Sequence, residues 1–110
     1  MVKATIGKYR AGEKQTYCAI YLFGQSHFGF VESESIEGLA YLLLGLQTLE
    51  FQGEGGQINL QCSNGERIRK PDTSEEIELE PLSGTERGGF YRLFLEGGLP
   101  SSGTLRREPR

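Results

Sequence analysis

The sequence predicts an α+β fold: a mostly antiparallel sheet of about six to seven short strands with one helix on a face, in the order β-β-β-α-β-β-β-β. Three observations carry this reading. Residues 34–51 (ESIEGLAYLLLGLQTLEF) are rich in Leu and poor in β-branched residues, which is a helix pattern. The segments on either side alternate apolar and polar residues between Gly-containing turns, which is a strand pattern. Helices do not alternate with strands, so a doubly wound parallel sheet is disfavoured.

Each element has its own justification. Residues 2–9 alternate, with Val2, Ala4 and Ile6 on one side and Lys3, Thr5 and, after Gly7, Lys8 on the other; this is a half-buried strand. Residues 10–14 form a charged turn in which Gly12 tolerates positive φ. Residues 15–23 carry Tyr17, Ala19, Tyr21 and Phe23 on one face and Cys18, Ile20 and Leu22 on the other. Two apolar faces place this strand centrally in the sheet. Residues 27–32 are a third strand, where Gly29 signals a bulge or a close backbone approach.

The helix at 34–51 has Ser33 or Ser35 as its cap, with Glu32, Glu34 and Glu37 at the positive end of its dipole. The glycine-rich stretch 52–56 stops it. Residues 57–62 alternate with Ile58, Leu60 and Cys62 inward. Asn64-Gly65 then reads as a two-residue hairpin returning through the short, charged strand 67–69. Residues 71–76 (PDTSEE) are a loop, 77–82 a strand with Ile77 and Leu79 inward, 83–89 a polar turn and 90–95 (FYRLFL) the last strand.

At 110 residues, 36% hydrophobic and 25% charged, the chain has room for one core. Residues 1–99 form that single domain. Residues 100–110 (PSSGTLRREPR) are polar, almost without apolar anchors, and read as a flexible tail. A net charge of -3 disfavours general nucleic-acid binding, for which a basic domain is expected. No apolar run approaches the ~18 residues of a membrane span, and the N-terminus has no apolar signal region. Two distant cysteines without a CxxC complete the picture of a cytoplasmic protein with reduced thiols and no membrane contact.

Catalytic chemistry finds little support. His27 is the single histidine, and with Cys18 and Cys62 it makes no metal-ligand set. Cys18 with His27 is the one Cys-His combination, but Cys18 in an apolar strand reads as a small buried hydrophobe. The row of Glu at 76, 78 and 80 is not a paired-carboxylate arrangement. Residues 87–91 (RGGFY) hold one RGG-like element that reads as a turn, and 53–56 lacks the Lys-Ser/Thr of a phosphate loop. No catalytic residue, cofactor or metal is assigned, and the chain reads as a non-enzyme.

Two features point to binding. Ile36, Leu39, Ala40, Leu42, Leu43, Leu44, Leu46, Leu49 and Phe51 spread over roughly 220° of the helix, against the ~100° stripe that one sheet needs. The surplus is covered either by the C-terminal strands or by a partner or second copy. Glu76, Glu78 and Glu80 share the outer face of one strand, either as an ordinary solvated edge or as a steering surface for a basic partner. The candidate partner-binding residues are therefore Leu42, Leu46, Leu49, Glu76, Glu78 and Glu80.

Segment 35–46 (SIEGLAYLLLGL), following a strand hairpin that contains Ile6 and residues 17–23, resembles a group of short bacterial proteins of unassigned function. Those are built from strands, a short polar cap, a Leu-rich helix with a late glycine (Gly45 here) and a closing strand. The resemblance covers about residues 3–62. Some members sit near toxin-immunity or phage genes, so it implies a small neutralising binder, without carrying over any functional residue. The expectation is a small non-enzymatic binding protein acting on a macromolecular partner, as inhibitor, immunity factor or accessory subunit. The alternative is a small-ligand binding protein with a pocket between helix and sheet lined by Tyr17, Tyr21, Phe28, Phe30 and Tyr91.

Overall fold

The computed structural model describes residues 2–24, 26–55 and 57–97; the expected tail at 100–110 lies outside the described residues. Strands β1 (Val2–Ala11), β2 (Lys14–Phe23) and β3 (His27–Ser33) form an antiparallel meander, as their alternation and Gly turns dictate. Helix α1 (Ile36–Leu49) follows, then a 3₁₀ turn at Phe51–Glu54, strand β4 (Ile58–Cys62), the short strands β5 (Arg67–Arg69) and β6 (Glu76–Glu78), and helix α2 (Gly84–Gly97). The fold is α+β, as the alternation and the single Leu-rich segment predict.

The main sheet has four strands in the order β3-β2-β1-β4, and it is mixed rather than mostly antiparallel. β4 runs parallel to β1, from Val2 opposite Ile58 to Ile6 opposite Cys62. The reason lies in α1. A helix leaving β3 carries the chain back along the sheet, so the next strand runs in the direction of β3, and therefore of β1. The Asn64-Gly65 hairpin is also corrected. Gly65 takes its positive φ of 91°, but the turn passes the chain out of the four-stranded sheet, and β5 pairs instead with β6.

The largest correction concerns residues 83–95. They form α2, not a polar turn and a strand. Ser83 and Glu86 make a capping box: the Glu86 backbone N–H donates to the Ser83 hydroxyl (3.1 Å) and the Ser83 N–H donates to the Glu86 carboxylate (2.8 Å). Phe90 and Phe94, one turn apart, are buried, stack at 5.5 Å and pack with Leu39, Ala40 and Leu43 of α1. Gly88-Gly89 weakens the helix locally, and the cap and this buried face offset it. Among the described residues the single sheet of about six to seven strands expected is thus a four-stranded and a two-stranded sheet, with two helices in place of one.

Three layers result. The helices cover one face of the main sheet, burying Val2, Ala4, Ile6, Ala19 and Tyr21 against α1, α2 and Phe51. On the other face the β5-β6 hairpin and Leu79 sit over Tyr9 and Cys18. This explains why β2 is apolar on both sides: it lies inside the sheet and inside the layers. Beyond Ile6, where β4 ends, Glu80 takes over the edge of β1, exchanging both backbone hydrogen bonds with Lys8 (3.0 and 2.7 Å).

Candidate functional site

Ser35 caps α1 by accepting from Gly38 N–H at 3.0 Å, and Ser33 accepts from Ser35 N–H, so both candidate serines are used in series. The helix then turns two faces inward. Leu39, Ala40 and Leu43 are fully buried, and Ile36, Leu44 and Leu46 pack beside them. α2 covers one flank. The opposite side stays open: Tyr41 is 61% exposed, Leu42 42% and Leu49 82%. Between them Gly45 adds no bulk, and a methyl group placed on it would meet nothing within 4 Å. Of the helix residues expected at an interface, Leu42 and Leu49 are on this surface; Leu46 is half-buried, packed against the cluster of Phe51 and the sheet.

The acidic row has a different setting. In the β5-β6 hairpin Glu78 faces Arg67 and Glu76 faces Arg69 across the strands, while Ile68 and Ile77 point inward together. Arg67 reaches Glu76 at 3.9 Å. Directly opposed residues share a face, so the outer surface alternates positive and negative charge and is not a patch of one sign. Glu80 is drawn off to the edge of β1 through its backbone.

Two polar clusters flank the sheet. On the hairpin side Tyr9 donates to Glu32 at 2.5 Å, and Lys70 donates to the Tyr9 hydroxyl at 3.3 Å and lies 3.7 Å from the other Glu32 oxygen. The Lys70 ammonium also lies 5.6 Å from the Tyr9 ring centre and 5.4 Å from that of Phe30. Burial and the bond to Glu32 push the Tyr9 phenol above its usual range. Burial alone would lower Lys70, but its bond to Tyr9 and the charges of Glu32 and Glu75 hold it above the usual lysine range.

On the helix side Glu86 of α2 receives Lys8 at 2.8 Å and the Tyr17 hydroxyl at 2.6 Å. Burial alone would raise this carboxyl; the bonds from Lys8, Tyr17 and Ser83 bring it down to about 2. At neutral pH the Tyr9 and Tyr17 phenols stay protonated, the Lys70 ammonium stays charged and the Glu86 carboxylate stays ionised. None of these four groups is poised to give and take a proton near pH 7, as a general acid or base must be. Both act as ties between layers.

The five aromatics expected to share a pocket are divided by the sheet. Tyr17, Tyr21 and Tyr91 lie on the helix side, and Phe30 and Phe28 on the hairpin side. Cys18 is fully buried, and burial pushes its thiol up to about 12. It pairs across to Gly7 and Glu32, whereas His27 pairs with Phe23. Five residues of strand separate the two along the sheet, roughly 16 Å, so they make no nucleophile pair. Among the described residues, no cluster of three or more His, Cys, Asp or Glu could hold a metal ion, and no helix is long and apolar enough to cross a membrane.

The polar ties were missed in the sequence because their members lie far apart in the chain. A signal existed for one of them: Ser83-Gly84-Thr85-Glu86 has the spacing of a capping box, and Glu86, Phe90 and Phe94 recur at helical intervals. No protein-family model, curated protein or solved structure matches the chain.

Proposed function

We propose that this is a small non-enzymatic binding protein that acts on a macromolecular partner through the outward face of α1, as an inhibitor, immunity factor or accessory subunit. The observation that carries the reading is the exposure of Tyr41, Leu42 and Leu49 on one side of a helix whose other flank is already taken by α2. Apolar side chains gathered on one surface favour removal from water by a second surface. Gly45 at their centre lets another helix or strand approach the backbone of α1 closely. The inward bonding of both polar clusters supports a role without chemistry. The resemblance to short bacterial proteins, some near immunity or phage genes, agrees with a cytoplasmic binder, and a second copy of the chain would satisfy the same surface.

The test uses Leu49→Asp and Leu42→Asp in the intact protein, purified from cells that produce it naturally and weighed by light scattering. The wild type is expected to run as an assembly, with itself or with one stoichiometric partner that rebinds when mixed as purified protein. Leu49 is the most exposed of the three, so Leu49→Asp should keep the wild-type melting temperature within a few degrees while weakening the assembly about tenfold or more. A wild type that is monomeric and partnerless, or an assembly that tolerates both substitutions, would overturn the reading.

A further inference from the structure

A second site lies on the opposite side of the sheet from α1. The β5-β6 hairpin has three residues per strand, about 10 Å, whereas β2 has ten and β3 seven. It therefore covers Cys18 but leaves the neighbouring sheet surface bare. The result is a cavity of about 430 Å³, walled by Ile20 and Phe28 from the sheet and by Ile68, Arg69, Lys70, Pro71 and Ser74 from the hairpin. The volume suits a small molecule.

The hairpin end of the cavity is pre-formed. Lys70 N–H donates to Glu75 O at 2.9 Å and Ser74 N–H to Lys70 O at 2.8 Å, while the Arg69 guanidinium donates to Ser74 O at 2.8 Å. Ser74 is held at φ 63°, in the left-handed region that a residue with a Cβ seldom occupies. Lys70, buried between Tyr9 and Phe30, anchors the loop from beneath. The charge on Lys70 is met by Glu32. Arg69 faces Glu76 across the hairpin but makes no ion pair within 4 Å among the described residues, and no acidic side chain lines the cavity. Phe28, 59% exposed, offers a ring face at the sheet wall.

We propose that this cavity binds a small amphipathic anion, with a flat apolar body against Phe28, Ile20 and Ile68 and a carboxylate or similar group on Arg69. Guanidinium donors left over from the Ser74 bond suit a planar two-oxygen anion, and the apolar walls have no hydrogen-bonding demands on the rest of the ligand. The site is independent of the α1 surface and stands whether or not that surface docks a partner.

The experiment is an amide NMR titration of the whole protein with 2-naphthoate and, separately, with its neutral counterpart 2-naphthalenemethanol. Naphthoate is expected to give saturable shifts at Phe28, Ile68, Arg69 and Ser74, with a Kd of about 1 mM or tighter. Arg69→Gln should weaken naphthoate about tenfold more than it weakens the alcohol, whose own change reports the lost bond to Ser74. Phe28→Ala should weaken both, and Leu49→Asp neither. The dispersed spectrum of each variant reports that it is folded. Absence of saturable shifts at these amides with naphthoate, or equal loss of both probes in Arg69→Gln, would overturn the proposal.

Discussion

Two glycines mark close approaches, one within the main sheet and one between it and the segment that crosses over it. Gly29 reads from the sequence as a close backbone approach, and the Tyr21 ring lies directly over it from the neighbouring strand, braced by Phe51 at 5.1 Å. Gly7 interrupts an alternating strand without showing why. The reason is distant in the chain: a Cβ on Gly7 would fall 2.7 Å from Leu79 Cγ and 2.8 Å from the Glu80 carbonyl oxygen. The segment that crosses here also hydrogen-bonds to Lys8, so it cannot move off without losing those bonds. Gly7→Ala is therefore expected to destabilise the protein by about 2 kcal/mol, read from the urea midpoint at unchanged slope. At this scale the sequence reveals that a residue is small, but not what presses on it, because the neighbour is set by topology.

Elements with an unbroken local pattern were legible, and those with competing local signals were not. β1, β2, β3 and α1 follow from alternation, Gly turns and a Leu-rich run. Residues 83–95 carry two signals at once: aromatics and a Gly pair that favour strand and turn, and a capping box with helical spacing that favours helix. Tertiary burial of Phe90 and Phe94 decides between them. The losing signal remains as a weakness that can be repaired. Gly88 is exposed, inside α2, with nothing within 4 Å of an added methyl group. Gly88→Ala should stabilise the protein by about 1 kcal/mol and raise the thermal midpoint by a few degrees in calorimetry. The outer face of α1 belongs to the same lesson: its excess breadth is visible in the sequence, whereas the split between α2 and solvent depends on a helix the alternation conceals.

Across the whole molecule, Glu86 joins the layers. It belongs to the cap of α2 and receives Lys8 from β1 and Tyr17 from β2. Its carboxyl titrates at about 2 in the folded protein against an ordinary 4.5, so the folded state favours the ionised form. The stabilisation is complete above about pH 4.5 and is lost as pH falls towards 2. Glu86→Gln should lower stability at pH 7 by about 2 kcal/mol and flatten the acid limb of a plot of stability against pH. An acid limb as steep as that of the wild type would place the protons elsewhere. The cap was legible in the Ser83–Glu86 spacing, but the tie to β1 was not, since Lys8 and Glu86 lie 78 positions apart. The same distance shapes how the chain is made. Residues 2–55 contain three strands and a helix, and both later claimants to the outer edge of β1, first β4 and then Glu80, follow them in the chain. A nascent chain at that stage carries a bare strand edge that can pair with whatever strand is nearest. The sheet is sealed by the strand that comes last to it in sequence, so the edge of β1 is the part of the fold most exposed to wrong pairing before the chain is whole.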